Sequence, residues 1–251
     1  TWQQSAGTLK GTGTLTITKQ MDWTAGTWDE TGRVDIGTGA ILNISGSGSK
    51  TLFARSLNNY GTITWTGAGI IYGNNGARIN NQVGGLFDIQ NDTWMDFYSG
   101  AQVYFYNYGT LRKSAGTTQT TWTDFFLVNT GLIEVQQGRF RHYNSTQNGA
   151  VDISSGAILE FAGNTTTFQA GAVYTGAGTV QHTGGDVVIS AGVAISMPVT
   201  WQQSAGTLKG TGTLTITKQM DWTAGTWDET GRVDITTGAS LNISGGGSKN
   251  L

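Results

Sequence analysis

The chain has 251 residues, of which 39 are Gly, one is Pro and none is Cys, and only 12% are charged, for a net charge of −2. Ordinary globular proteins contain roughly 7% Gly and about 25% charged residues, and each Gly in a helix costs about 1 kcal/mol relative to Ala, so this composition argues against a helical protein. It also argues against nucleic-acid binding, disulfides, thiolate sites and a membrane-spanning helix, because there is no basic excess, no Cys and no long apolar run.

Near the N-terminus, the first 52 residues form a segment that returns almost unchanged at the end of the chain. Residues 1–52 align with residues 200–251, and only four of the aligned positions differ. We therefore expect residues 1–199 to be one complete long repeat of about eight or nine turns. Residues 200–251 would then begin the next repeat, continuous with the first, and we expect the chain to be an excerpt of a longer array.

A shorter pattern recurs within the long repeat, in which an Asn and a Gly precede apolar residues at alternate positions. The asparagines of the pattern are Asn59, Asn81, Asn107 and Asn129, and its glycines are Gly61, Gly85, Gly109 and Gly131. Alternation places every second side chain on the inner face of a strand. A regular period of this size is typical of one turn of a solenoid. The sequence thus predicts an all-β, single-stranded parallel β-helix (β-solenoid) with turns of about 22–25 residues.

Each Asn and Gly of the short pattern is expected in a turn. Gly adopts left-handed backbone geometry without steric cost, and Asn tolerates it through local hydrogen bonds. Stacked Asn side chains can also bond to one another along the axis. The competing interpretation is a pair of β-sandwich domains, which would place strands at spacings of about 8–12 residues.

Five stretches are distinctive, namely TLTITKQMDWTAGTW, GAILNISGSGSKTL, LNNYGTITW, INNQVGGLFDIQND and LVNTGLIEVQQG. They resemble the very large, tandemly repeated extracellular proteins of bacteria, in the style of filamentous haemagglutinin-like adhesins. The resemblance covers nearly the whole chain but is carried by low-complexity motifs. It implies a right-handed parallel β-helix that serves as a stalk, a filament or an adhesive surface.

Aromatic residues are the strongest candidates for ligand contact. In AQVYFYNYG, one strand face carries Tyr104, Tyr106 and Tyr108, and Tyr60 takes the place of Tyr108 in another copy of the short pattern. Aromatic rings can stack on sugars, so these four residues are a candidate glycan-contact surface. The alternative is that the rings stack on one another and stabilise the solenoid.

Catalytic and metal-binding residues are not predicted. His142 and His182 lack partners at ligand spacing, and His182 is expected to be a partly buried position of a turn. Asp88, Asp92 and Asp96 could bind calcium or act in catalysis, although a polysaccharide-active enzyme usually has long loops at its site. Thr-x-Thr stretches resemble ice-binding arrays but are interrupted in the next turn.

We therefore expect a non-enzymatic structural segment of an extracellular or bacterial cell-surface stalk, filament or layer, without cofactors. An adhesive module that binds glycans is the alternative, and a polysaccharide-active β-helix enzyme is the weaker one. The expected partners are neighbouring repeats of the same chain or end-to-end copies of it, and, for an adhesive module, a polysaccharide or a cell surface. Neither nucleic acid nor a membrane span is expected.

Overall fold

The structure is a computed structural model that describes residues 1–228 and 231–251, and those ranges contain 36 strands and no helix. The first twelve strands are β1 (Trp2–Gln4), β2 (Thr8–Leu9), β3 (Thr14–Ile17), β4 (Gln20–Trp23), β5 (Gly26–Trp28), β6 (Arg33–Ile36), β7 (Ile41–Ile44), β8 (Lys50–Phe53), β9 (Ser56–Asn59), β10 (Thr62–Trp65), β11 (Ile71–Asn74) and β12 (Arg78–Asn81). The next twelve are β13 (Leu86–Ile89), β14 (Trp94–Ser99), β15 (Tyr104–Asn107), β16 (Thr110–Lys113), β17 (Gln119–Thr123), β18 (Phe126–Asn129), β19 (Leu132–Val135), β20 (Arg139–His142), β21 (Ser145–Gln147), β22 (Ala150–Ile153), β23 (Ile158–Phe161) and β24 (Thr165–Phe168). The last twelve are β25 (Val173–Gly176), β26 (Thr179–His182), β27 (Asp186–Ile189), β28 (Ala194–Met197), β29 (Thr200–Gln203), β30 (Thr207–Lys209), β31 (Thr213–Ile216), β32 (Gln219–Trp222), β33 (Gly225–Trp227), β34 (Arg232–Ile235), β35 (Ser240–Ile243) and β36 (Lys249–Asn250).

Every third strand lies on the same face of a three-sided solenoid. Face 1 carries β1, β4 and each third strand up to β25, and it continues with the separate three-stranded sheet of β28, β31 and β34. Face 2 carries twelve strands from β2 to β35, and face 3 carries twelve from β3 to β36. The chain thus makes about twelve turns.

All strand pairs in the described ranges are parallel, and strands of the inner turns pair with the strands one turn before and after them, except at the break between β25 and β28 on face 1. This confirms the predicted all-β solenoid. The β-sandwich interpretation is wrong, because immunoglobulin-like sandwiches are built from antiparallel sheets.

The turns differ in length more than the sequence pattern suggested. On face 1, Ile63 pairs with Phe87 and Phe87 pairs with Leu111, so these two turns are equal in length and agree with the predicted period. The repeated segment has shorter turns, because Trp2 pairs with Met21 and these two residues are closer along the chain than the paired residues of the two middle turns. The longest turn joins Met95 to Trp122. The strands keep similar lengths, so the corners absorb the difference.

Apolar side chains fill the interior in columns that run along the axis. On face 1, one column contains Ile63, Phe87, Leu111, Ile133 and Val151 from five successive turns, all buried. Burial of each such side chain contributes about 1.5–3 kcal/mol. Because each turn covers the apolar side chains of the one before it, the buried apolar residues form one continuous cluster.

The four asparagines of the short pattern form one buried hydrogen-bonded ladder. Nδ2 of Asn59 donates to Oδ1 of Asn81 at 2.7 Å, Asn81 donates to Asn107 at 2.8 Å, and Asn107 donates to Asn129 at 2.8 Å. The amide nitrogens of the first three also donate to backbone carbonyls of the next turn, at 2.9 Å each. The ladder satisfies polar groups that would otherwise be costly to bury.

The glycines that follow these asparagines have a different role from the one expected. None of Gly61, Gly85, Gly109 and Gly131 has a positive φ, so the left-handed geometry proposed for them is wrong. The same holds for the four asparagines, which end strands β9, β12, β15 and β18 rather than lying in turns. A Cβ atom at Gly61 would instead collide with the carbonyl oxygen of Ala40 in the previous turn, and similar collisions with carbonyl oxygens occur at the other three. Glycine is required there because two backbone segments approach too closely for any side chain.

The two histidines lie inside the solenoid. His142 is fully buried on β20, its ring packs against Phe140 and Phe161 at centroid distances of 5.7 and 5.2 Å, and neither ring nitrogen has a hydrogen-bond partner. Burial lowers the pKa of His142 to about 3. His182 is also fully buried rather than partly buried, with Nε2 at 3.1 Å from the carbonyl oxygen of Gly185, and its pKa is lowered by burial. Both rings are therefore neutral components of the core.

Substitution of Asn107 by Ala should lower the free energy of unfolding by roughly 3 kcal/mol, because it leaves buried amide and carbonyl groups of adjacent turns unpaired. Asn80 on the adjacent strand β12 provides the matched control. Its side chain belongs to a separate pair with Asn58, at 2.7 Å, outside the buried ladder. Urea unfolding of N107A and N80A measures the difference, and equal losses would show that the buried ladder has no special weight.

Acid should destabilise the protein through His142. A folded pKa of about 3 lies below the unfolded value of about 6.5, so the unfolded state binds more protons between these pH values and stability falls as pH falls. His142→Phe should remove roughly 3 kcal/mol of the loss between about pH 6.5 and pH 4. Urea titrations at several pH values test this. Trp122→Phe, in the same interior column, is the control and should retain the acid dependence of the unsubstituted protein.

Candidate functional site

Three of the four candidate tyrosines form a single stack on face 3. The rings of Tyr104 and Tyr106 have centroids 5.4 Å apart with planes 15° apart, and those of Tyr106 and Tyr108 are 6.2 Å and 3° apart. Tyr104 also contacts Phe126 of the next turn, at 5.6 Å. Tyr60 directly follows β9, and Tyr108 directly follows β15, which lies two turns further along face 3. The structure therefore brings three of these residues together and leaves Tyr60 apart.

The stacking limits what this surface can offer to a ligand. Parallel rings at these centroid distances form an offset stack, so each ring partly covers its neighbour. Tyr106, in the middle, is partly buried, and burial raises its pKa while Arg78 opposes the shift. Tyr60 and Tyr108 are the more exposed members, at 43% and 41%. We call these two residues the tyrosine surface; they offer ring area to solvent, while the stack itself stabilises face 3.

A second aromatic surface lies on face 2, and sequence reasoning missed it. Trp94 and Tyr98 on β14 are 52% and 76% exposed, and Tyr98 makes an edge contact with Tyr72 of the previous turn at a centroid distance of 6.1 Å. We call Trp94, Tyr98 and Tyr72 the bulge surface.

A β-bulge positions Tyr98. Strands β11 and β14 pair regularly up to Gly73 and Phe97, but Asn74 then pairs with Ser99, so Tyr98 is an extra residue in β14. Bulges redirect side chains and often lie next to functional sites. The only hint in the sequence is the adjacent aromatic pair Phe97–Tyr98, which interrupts the alternation expected of a strand.

The three aspartates that suggested a calcium or catalytic site do not share a face. Asp88 lies on β13 of face 1, Asp96 lies on β14 of face 2, and Asp92 lies in the corner between them. Burial raises the pKa of Asp96, and the charge of Asp124 adds to this shift. Asp96 separates Trp94 from Tyr98 along β14, so any role it has belongs to the bulge surface.

Asp92 balances a buried positive charge. Its carboxylate accepts hydrogen bonds from Nζ of Lys113 at 3.0 Å and from the backbone N–H groups of Thr117 and Thr118 at 2.9 and 3.0 Å. Burial works against ionisation of Asp92, but the Thr118 N–H and the Lys113 ammonium outweigh it and hold its pKa below the usual value. Burial lowers the pKa of Lys113, an effect that Asp92 opposes. These groups stabilise a corner.

Two further buried cations fasten corners through backbone carbonyls. Nζ of Lys50 donates to the carbonyl oxygens of Ser45 at 2.5 Å and Gly46 at 3.3 Å, and burial lowers its pKa. Arg55 donates from Nε and Nη2 to the carbonyl oxygen of Asp29, at 3.0 and 2.7 Å, and from Nη2 to that of Gly11 at 2.5 Å. These carbonyl groups lie in corners, outside the hydrogen bonds between strands, and the buried cations provide them with donors.

The remaining candidate features do not assemble into a site. Among residues 1–228 and 231–251, no group of three or more His, Asp or Glu side chains could hold a metal ion, and no helix could cross a membrane. The Thr-x-Thr stretch of β10 pairs with Leu86 and Asp88 on β13, which interrupts the array after one turn.

Comparison with protein-family models, with curated proteins and with solved structures gives no match for this chain. The solenoid fold is therefore established by the geometry itself.

Proposed function

We propose that the chain is a rigid structural segment of an extracellular bacterial protein, where it serves as a stalk, a filament or part of a surface layer. The observation that carries the proposal is the stack of about twelve three-stranded turns around one continuous core. Parallel strands lie about 4.8 Å apart, so twelve turns advance the axis by about 58 Å. Such a shaft sets the distance between whatever lies at its two ends.

Stiffness follows from the same contacts. Bending the shaft would stretch backbone hydrogen bonds on one face and separate buried side chains of adjacent turns. The Asn ladder and the Lys113–Asp92 pair tie neighbouring turns together at two different corners. The partners contacted by this segment would be neighbouring repeats of the same chain or copies of it associated end to end. The likeness of its motifs to haemagglutinin-like adhesins supports a place outside the cell.

A mechanical role is also supported by how the carboxylates are used. Asp92 compensates Lys113, and Asp22 accepts hydrogen bonds from Gln20 at 3.0 Å and Asn43 at 2.7 Å. Glu134 pairs with Arg112 of the adjacent turn at 2.6 Å. These groups are engaged in contacts along and between turns, as expected of a protein in which side chains hold the shaft together.

The length of the shaft should grow in steps of the long repeat. A chain in which residues 1–199 occur twice before residues 200–251 reproduces the natural junction between residues 199 and 200. Small-angle X-ray scattering should show a rod about 45 Å longer than the present chain, because 28 more strands make nine and one third turns. A compact particle with the radius of gyration of a globule of about 450 residues, about 22 Å, would contradict the proposal.

Glycan adhesion is the second candidate function, and the exposed aromatic rings favour it. The tyrosine surface lies on face 3 and the bulge surface on face 2, so a sugar chain could stack on either one. Exposed apolar patches on soluble proteins often mark interaction sites, and Asp96 and Thr123 of the adjacent turn could accept or donate hydrogen bonds beside Trp94.

The two aromatic surfaces make separable predictions. If the bulge surface binds glycans, W94A/Y98A should abolish binding on a glycan array and Y60A/Y108A should retain it. If the tyrosine surface binds glycans, Y60A/Y108A should abolish binding and W94A/Y98A should retain it. Neither double variant removes a fully buried ring, and each loses one aromatic contact, Tyr72–Tyr98 or Tyr106–Tyr108, worth about 0.5–1.5 kcal/mol. Both should therefore fold, with urea midpoints only slightly below that of the unsubstituted chain. Absence of binding by the unsubstituted chain across a broad array would overturn this second function and leave the structural role intact.

A further inference from the structure

The two near-identical copies in the chain lie on different faces of the solenoid. Strand β4 of the first copy is on face 1, whereas its counterpart β32 is on face 2. Strand β3 is on face 3, whereas its counterpart β31 is on face 1. Every counterpart is displaced in the same sense, by one face.

The displacement follows from the number of strands in the long repeat. Strand β29 is the counterpart of β1, so one repeat contains 28 strands. Each turn takes three strands, and 28 is one more than a multiple of three. A repeat therefore advances nine full turns and one additional face, which is about a third of a turn around a straight three-sided shaft.

Local structure is preserved despite the change of face. In the first copy, Trp23 and Trp28 stack at 3.9 Å and Nε1 of Trp28 donates to Oε1 of Gln4 at 2.6 Å. In the second copy, Trp222 and Trp227 stack at 4.2 Å and Nε1 of Trp227 donates to Gln203 at 2.8 Å. The same internal packing thus forms on either pair of faces.

The outward side chains are preserved as well. Asp22 binds Gln20 and Asn43 on face 1, and Asp221 binds Gln219 and Asn242 on face 2, with the closest contacts at 2.7 Å and 2.8 Å respectively. We define the shared surface as the outward residues that both copies present. It comprises Thr14, Thr16, Gln20, Asp22 and Asn43 in the first copy and Thr213, Thr215, Gln219, Asp221 and Asn242 in the second.

We propose that the long repeat presents the shared surface in a new direction around the shaft with each copy, so that equivalent residues of successive copies point away from different faces. This inference rests on the proposed structural role and specifies how the shaft meets its surroundings. Each further copy of the 28-strand unit would turn the surface by another face.

Distances between spin labels test the geometry, and the absence of cysteine makes paired labelling specific. The test pair is T14C with T213C, which are equivalent residues of the two copies. The controls are T14C with T207C, in one column of face 3, and Q20C with T213C, each of which begins a strand on face 1. Each control pair spans nine turns, or about 43 Å.

Electron–electron dipolar measurements should give similar distances for the two controls and a longer distance for the test pair. Residue 213 should therefore lie closer to residue 20 than to its own equivalent, residue 14. A test-pair distance equal to or shorter than that of Q20C/T213C would place both copies on one face and overturn the inference. The T16C/T215C pair provides a second test-pair reading, and urea midpoints confirm that each variant is folded. A negative result would leave the axial length, and with it the structural role, unaffected.

Discussion

Backbone pairing between successive turns is the constraint on which the rest of the structure depends. Each strand has a row of N–H and C=O groups on both edges, and in a solenoid only the turns before and after can satisfy them. Strands on one face must therefore keep the same direction and a matching register. Corners are free of this requirement, which is why the short turn between Ile133 and Val151 and the long turn between Met95 and Trp122 coexist in one shaft.

The same constraint explains which features could be predicted from the sequence. Alternation within strands indicated one buried and one outward strand face. The recurrence of Asn59, Asn81, Asn107 and Asn129 indicated stacked turns and a ladder, because this pattern repeats once per turn. The exact length of a turn could not be obtained this way. The predicted period came from the middle of the chain, and the shorter turns of the repeated segment lack the Asn-x-Gly pattern that marks it.

Other features depend on contacts between turns that one sequence does not display. Gly61 was expected to adopt left-handed geometry, but the carbonyl of Ala40 one turn earlier is what excludes a side chain there. Lys50, Lys113 and Arg55 were not distinguished from solvent-exposed charges, and their burial depends on carbonyl groups brought together at corners. The bulge that exposes Tyr98 likewise depends on the partner strand β11.

The rotation of the repeat shows how a local sequence can be independent of the face on which it lies. A strand such as β4 needs alternating side chains, a neighbour with matching register above and below, and a corner at each end. All three faces supply these conditions, so the same residues form β4 on face 1 and β32 on face 2 with the same alternation of half-buried and buried side chains. The number of strands per repeat is then not constrained by stability to a multiple of three. A unit of 28 strands distributes its surface around the axis, whereas one of 27 or 30 would align it along a single face, and the direction in which a repeat points is set by this count rather than by any change in its sequence.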